Sequence, residues 1–391
     1  MTALLSRLLG RIPIGWLQLT HSKSRLTVAL AGVAFANVLV FVQLGISGGL
    51  NQTINLSYQP IQADILISSS DANTLADGSP LARQRMFQAL SVPGVAEAAP
   101  LYLGIRDWVR EDGGTTALQV YGVPPEARNL VRTSYADDLA ALRLPNTALL
   151  DRLSRGVSFE EAELPTFANP LEAELSGVAV DVIGTFSIGA GFSADGNLLV
   201  SDQTFLRLFP QRSAGTPSHI LVRAEPGHNL AELADSIETV IASDAVIVRP
   251  LSEAIASDVS YQTTERPTGL IFGFGVVMGA IVGVVIVYQV LSTDVADHLR
   301  EYATFKAMGY RQRFFLELVF EEAVIMAVLG FIPGVLISLG IYVGMSAATG
   351  LPIEMDMPRA LGVLIGTIFA CTLSGAIATR RLAAADPADL F

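Results

Sequence analysis

The chain has 391 residues and a formal net charge of −12; 16% of its residues are charged and 51% are hydrophobic. An ordinary soluble domain carries about 25% charged residues, so a wholly soluble protein is excluded, and the acidic balance argues against a nucleic-acid binder. The single cysteine, Cys371, excludes an internal disulfide framework, and four histidines leave little for a His-built metal centre.

Residues 1–25 predict a short amphipathic elbow helix, with Leu4, Leu5, Leu8, Leu9, Ile12, Trp16 and Leu19 at near-helical spacing and Pro13 bending it. Charged residues are then missing from Leu26–Ala63, Pro267–Thr293, Ala323–Ile353 and Ala360–Thr379. Each run holds the roughly 20 apolar residues that cross a hydrocarbon core as a helix. Membrane spans are therefore expected at 26–50, 268–292, 323–346 and 360–379. The first run is too long for the core of a cleaved signal peptide. Arg7, Arg11, Lys23 and Arg25 precede the first span, and Arg300, Lys306, Arg311 and Arg313 follow the second. Arg380 and Arg381 follow the fourth. This bias puts both termini and the loop 293–322 in the cytoplasm. The short loop 347–359 and residues 51–267 then lie outside.

The segment 51–267 carries 27 acids and 14 bases, so the chain's acidity belongs to it. It predicts an α+β domain. Strands are expected at 63–68, 95–111, 117–123, 174–186, 197–200, 220–224 and 246–248, and helices at 80–90 and 230–242. Asp112-Gly113-Gly114 marks a hairpin and Gly189–Gly196 a Gly-rich loop. Two subdomains are expected, 60–125 with 220–250, and 126–219 as an insertion. The fold class is thus a membrane protein with four transmembrane helices and a large α+β extracytoplasmic domain inserted between helices 1 and 2.

The phosphate-binding pattern G-x-x-x-x-G-K-[ST] is absent around both lysines, Lys23 and Lys306. Gly45-x-Ser47-x-Gly49 matches a nucleophile pattern, but it falls on a membrane helix and no histidine lies in a span. Its glycines are read instead as allowing close helix packing. No charge stands at mid-depth in a span, which argues against ion-coupled transport. No catalytic, cofactor or metal residue is expected in this chain. What does stand out is small-residue spacing: Gly275, Gly279 and Gly283 in the second span, and Gly340 and Gly344 in the third, suit close helix packing or a dimer face. In the loop after the second span, Val295, Leu299, Tyr302, Phe305 and Met308 recur at helical spacing, and Gly309 suits a helix C-cap. Such a helix docks on a membrane surface or on a cytoplasmic partner.

The order of one span, large external domain and three spans, with the run Glu301–Tyr310 (EYATFKAMGY) and the Asp386-Pro387 tail, resembles the FtsX/MacB-type permeases of ABC transporters. The stretch Trp16–Gly45 is further similar to the cyanobacterial DevC-type members of that group. The resemblance implies a homodimeric inner-membrane permease that transmits ATP-driven motion to its periplasmic domain. It makes Leu299, Glu301, Tyr302, Phe305, Lys306, Met308 and Gly309 the segment that docks on the ATPase. It further implies a separate DevA-like ATPase that binds ATP and magnesium, a DevB-like membrane-fusion adaptor and a TolC-like outer-membrane channel. The exported substrate would be a lipid, glycolipid or other hydrophobic molecule. Two alternatives stand beside it: an FtsX-like permease for lipoprotein release or cell-wall hydrolase control, and a membrane-anchored sensor or scaffold with no ATPase.

Overall fold

A computed structural model describes residues 14–21, 23–110, 113–132, 138–157, 164–297, 308–310 and 312–384. In chain order the elements are α1 (Ile14–His21), α2 (Lys23–Ser57), β1 (Ile65–Ser69), α3 (Gln84–Leu90), β2 (Val95–Val109) and β3 (Thr115–Val123). Next come β4 (Thr147–Asp151), β5 (Leu171–Leu175), β6 (Val178–Phe186), β7 (Gly196–Ser201) and α4 (Asp202–Leu208). The remainder are β8 (His219–Ala224), α5 (Leu230–Ile241), β9 (Val246–Pro250), α6 (Leu251–Thr264), α7 (Pro267–Asp297), α8 (Gln312–Thr349) and α9 (Met357–Ala384). The chain divides into two compact units. One comprises Met1–Gly48, Leu270–Met345 and Ile353–Phe391; the other comprises Gly49–Gly269 and Ser346–Pro352.

The helical unit contains the four helices long and apolar enough to cross a membrane, within Leu26–Ser57, Pro267–Val290, Glu317–Thr349 and Met357–Ile377. The first and third candidate spans are longer than the expected 26–50 and 323–346, because helical geometry continues past them, in the third as far back as Glu317, Glu321 and Glu322. Pro267 opens α7, where a missing N–H costs nothing. α8 is continuous across Pro333. Its glycines explain how it meets α2: a Cβ at Gly330 would lie 2.7 Å from Val33, and one at Gly334 2.9 Å from Asn37. Side chains without bulk let backbones approach, which is how helices gain contact in lipid. Hydrogen bonds add to this packing. Thr367 donates to Asn37 Oδ1 at 2.5 Å, Ser374 to the Val284 carbonyl at 3.1 Å, and the Tyr342 hydroxyl to the Phe41 carbonyl. At one end Trp16 packs on a core of Leu318, Val319, Ala323 and Met326.

The second unit is α+β. Strands β9, β1, β8 and the first half of β2 form an antiparallel sheet, with Ile67 opposite Val248 on one side and Ile220 on the other. Helices α3 and α5 complete a β-α-β-β-α-β unit. One core joins the helices to the sheet: Ile65, Ile67, Ile220, Val222 and Val248 against Met86, Ala89, Leu233 and Ile237. Asn229 caps α5 by accepting from the Ala231 N–H, a contact worth about 1 kcal/mol.

Between β2 and β8 the chain builds a second body. Strands β3, β7, β4, β6 and β5 pair in that order, and β2 pairs with both β5 and β3, so the ladder closes on itself. Closure removes free strand edges. Alternate residues fill the interior, among them Leu118 and Val120, Ala148 and Leu150, Val180 and Val182, and Leu198 and Val200. This is the two-residue period of a strand with one face inward. Residues 101–123, grouped by sequence with the first subdomain, send Tyr102, Trp108, Leu118 and Val120 into this second core. The stretch expected as one strand over 174–186 is a hairpin instead. Ser176 at φ 50° and Gly177 at φ 87° form the tight turn between β5 and β6.

Candidate functional site

The loop that follows the second span carries the sharpest sequence signal. Leu299, Glu301, Tyr302, Phe305 and Lys306 lie outside the described residues. Its end is described. Gly309 has φ +91°, the left-handed conformation of a helix C-terminal glycine. Met308 is 61% exposed among the described residues. The Tyr310 ring lies tilted against Phe314 at 4.6 Å between centroids, tying this end to the start of α8. Two carboxylates that sequence reasoning left in the loop, Glu321 and Glu322, are buried on α8; Glu322 lies where a Cβ on Gly15 would touch it.

The small-residue stripes separate into two kinds. In α7, Gly275 faces Gln43, Gly279 faces Val40 and Gly283 faces Ala36, all on α2. These three glycines therefore serve packing inside the chain. A Cβ at Gly340 or Gly344 would meet nothing within 4 Å, and Val343 between them is 70% exposed. In the G-x-S-x-G stretch, Gly45 lies against the Tyr342 ring and Gly48 against the Arg359 guanidinium, so the motif is a packing surface.

Sequence reasoning missed a buried polar junction in the α+β unit. Asp258 on α6 is 3% exposed. Its carboxylate accepts from the Tyr58 hydroxyl at 3.0 Å, the Leu75 N–H at 2.9 Å and Gln262 Nε2 at 2.5 Å. Tyr58 directly follows α2, and α6 directly precedes α7, so this one carboxylate ties together the chain segments joined to the first two spans. Leu75 is gripped from the other side, where its carbonyl meets His219 Nε2 at 2.8 Å. A carbonyl only accepts, so Nε2 carries the proton and Nδ1 accepts from Ser68 Oγ at 2.9 Å. Burial pushes the Asp258 carboxyl up from the ordinary range, opposed by its hydrogen bonds to Gln262, Leu75 and Tyr58. Burial likewise pushes His219 below 6.5, so the ring is neutral. The loop they hold is closed by Asp71, which is lowered to about 2 by hydrogen bonds from Ser69 and Ser79. Nothing in the sequence marks Asp258, because its partners lie as far as 200 positions away.

Among the described residues, no group of three or more His, Cys, Asp or Glu side chains is placed to hold a metal ion.

The family described as MacB-like periplasmic core domain matches residues 26–240, more than half of the chain. The family described as FtsX-like permease C-terminal matches residues 273–387. The chain is 23% identical over 376 residues to the ABC transporter permease Rv2563 of Mycobacterium tuberculosis, covering 94% of this chain and 96% of that one. It is 21% identical over 408 residues to the pyoverdine export ATP-binding/permease protein PvdT of Pseudomonas putida, covering 97% of this chain and 59% of that one. Among solved structures it is similar to the periplasmic region of MacB from Actinobacillus actinomycetemcomitans, with TM-score 0.36 and 14% identity, over 55% of this chain and 99% of that one.

Proposed function

The chain belongs to the FtsX/MacB-type permeases of ABC transporters, and from that premise we propose that it is the dimeric membrane subunit of an exporter powered by a separate ATPase. One observation carries the reading. The core-domain match and the permease match follow one another along a single chain, with the large α+β periplasmic domain after the first of four membrane helices. An ABC permease works with an ATPase, and the PvdT name joins the two functions in one chain of which the present chain covers 59%.

In this reading both termini are cytoplasmic, and Leu299, Glu301, Tyr302, Phe305, Lys306, Met308 and Gly309 dock on the ATPase, which holds ATP and magnesium. The exposed Met308 and the left-handed Gly309 support such a docking helix. Hydrolysis moves the membrane helices, and the domain follows because Asp258 ties the segments next to the first two spans to the sheet. The open Gly340 and Gly344 face suits a second copy. We infer a DevC-type system, with a DevB-like adaptor and a TolC-like channel that carry away a lipid, glycolipid or other hydrophobic substrate. The acidic surface of residues 51–267 suits a basic face on the adaptor.

Purification of the natively expressed protein from crosslinked membranes, with partners identified by mass spectrometry, tests this. Recovery of a P-loop ATPase with a fusion adaptor is expected. An ATPase with a lipoprotein carrier or a cell-wall hydrolase would replace the export reading with the other branch of the family. Recovery of no ATPase would overturn the proposal.

A further inference from the structure

We propose that Arg155 is a positioning residue. It fastens the loop between the third and fourth spans to the barrel, so that movement of those two helices enters the α+β domain there. Asp258 ties in the segments next to the first two spans; Arg155 gives the other two a grip of their own.

Residues Ser346–Pro352 belong with the α+β unit although they lie where α8 turns toward α9. α8 stops at Thr349, and Gly350 takes a left-handed φ of +67°, which closes the helix. The Gly350 N–H bonds the Ser346 carbonyl at 2.8 Å, and Ser346 Oγ donates to the Leu351 carbonyl at 3.0 Å. A helix leaves its last four carbonyls without donors of its own. Arg155 Nε donates to one of them, the Thr349 carbonyl, at 2.7 Å. A cation at that end also meets the negative pole of the helix.

The barrel aims Arg155. Its N–H donates to the Asp195 carbonyl at 2.6 Å, and its own carbonyl accepts from Thr116 Oγ1 at 3.3 Å. Its Nη1 pairs with Asp195 Oδ1 at 2.6 Å, while Asp195 Oδ2 accepts from the Ala117 N–H at 3.1 Å. The guanidinium thus holds the helix end with Nε and the carboxylate with Nη1 at once. A rigid fork does this; the single ammonium of a lysine does not fix two such directions. Packing completes the grip. A Cβ on Gly350 would lie 3.7 Å from the Cβ of buried Ala190 and 3.8 Å from Arg155 Nε.

The same Gly-rich loop, Gly189–Gly196, receives a second input. Gly191 presses on the end of α2, where a Cβ would lie 2.9 Å from the Thr53 methyl. The Tyr121 hydroxyl on β3 donates to the Ser57 carbonyl of α2 at 2.9 Å. The ends of α2 and α8 therefore meet the barrel at neighbouring residues, Gly191 and Ala190. A shift of one helix end against the other is passed to the barrel as long as Arg155 stays bonded, since coupling runs through such hydrogen-bonded and packed chains. Arg155 and Asp195 are 40% and 29% exposed in their side chains, so the grip weakens with salt.

This deepens the export reading and rests on it for the source of the movement, not for the grip itself. The first test uses the full chain in nanodiscs without its ATPase. Ala190→Cys and Gly350→Cys are combined, with the buried Cys371 changed to alanine so that no third thiol competes. The 3.7 Å Cβ separation lies within the range of about 3.5–4.5 Å that a disulfide spans. Because Gly350 is left-handed, all rates are compared within this background. Crosslinking on oxidation is expected. Arg155→Gln should slow it at least threefold, and so should Asp195→Asn, which keeps an acceptor for the Ala117 N–H. Salt at about 1 M, where the Debye length is about 3 Å, should slow the reference likewise and leave Arg155→Gln unchanged. The second test uses the complex with its ATPase and reads amide hydrogen exchange over residues 189–196. The change brought by ATP and vanadate should fall by at least half in Arg155→Gln at unchanged ATP hydrolysis, and the disulfide should restore it. A role in folding alone would not be restored by that bond. Reference-rate crosslinking in both variants, an undiminished response in Arg155→Gln, or no restoration by the disulfide would overturn the proposal. Failure of the first test leaves the export reading standing, and failure to recover an ATPase leaves the grip to stand or fall on the first test.

Discussion

At the residue scale, the two titratable groups of the buried junction pull stability in opposite directions with pH. His219 is held neutral by burial, with its folded value below 6.5. An unfolded chain takes up the proton near 6.5 while the native ring still refuses it, so the unfolded state gains as pH falls. The stability it contributes is present above about pH 6.5 and lost on acidification below it. The thermal midpoint of the detergent-solubilised chain should therefore drop between pH 7 and pH 5. His219→Gln keeps a donor for the Leu75 carbonyl and should flatten that drop. Asp258 has the other sign. Its folded value is raised, so it costs stability as pH rises from the usual carboxylate value toward the folded one. Asp258→Asn should relieve that penalty. Asp258→Leu leaves the Tyr58 hydroxyl and the Leu75 N–H without an acceptor, and should destabilise by about 1–3 kcal/mol for each group, read as a lowered midpoint. None of this was legible in the sequence, since an Asp in a largely polar helix reads as a surface residue until its distant partners are placed.

Elements were legible to different depths. Membrane helices announce themselves through charge-free runs, because a span must satisfy its backbone internally and its side chains in lipid. Strands facing a closed interior announce themselves less. Leu171–Leu175 reads as one strand with its neighbour because the turn at Ser176-Gly177 is two residues long, and Thr147–Asp151 carries no strand signal because all five residues are buried and show no alternation. The glycine stripes were visible, but what each one faces was not. The structure divides them, and a pair of substitutions checks the division. Gly279→Leu and Gly283→Leu drive bulk into α2 and should cost about 1–3 kcal/mol each. They should lower the thermal midpoint and raise protease sensitivity. Gly340→Leu and Gly344→Leu meet open space and should leave the midpoint within error. If that face receives a second copy, they should cut the yield of crosslinked dimer by at least half at unchanged expression.

For the whole molecule, the test of coupling is separation of two activities. Charge reversal at Glu301, expected at the ATPase interface, should leave the chain folded and inserted. ATP hydrolysis by the reconstituted complex should then continue while export falls by an order of magnitude or more. Wild-type export by Glu301→Lys would remove this residue from the interface. A matching result is expected from the junction. Asp258→Leu should impair export while the ATPase still co-purifies, because that carboxylate belongs to the α+β domain and not to the loop that follows the second span.

The order of the strands also sets a schedule for biosynthesis. β1 has two neighbours, β8 and β9, and its residue Ile65 pairs with Val222 and Pro250. At about 5–20 residues per second, ribosomal synthesis leaves roughly eight to thirty seconds before either neighbour exists. During that time an apolar strand (Ile65, Leu66, Ile67) emerges beside a growing membrane helix with nothing to pair with. The intervening barrel closes on its own strands and β2 once β7 is available, before β8 exists, so it can form first and keep its edges to itself. Chains truncated near residue 210 and released from the ribosome should accordingly carry a protease-resistant barrel and a sensitive first strand, and periplasmic chaperones should be recruited to that strand.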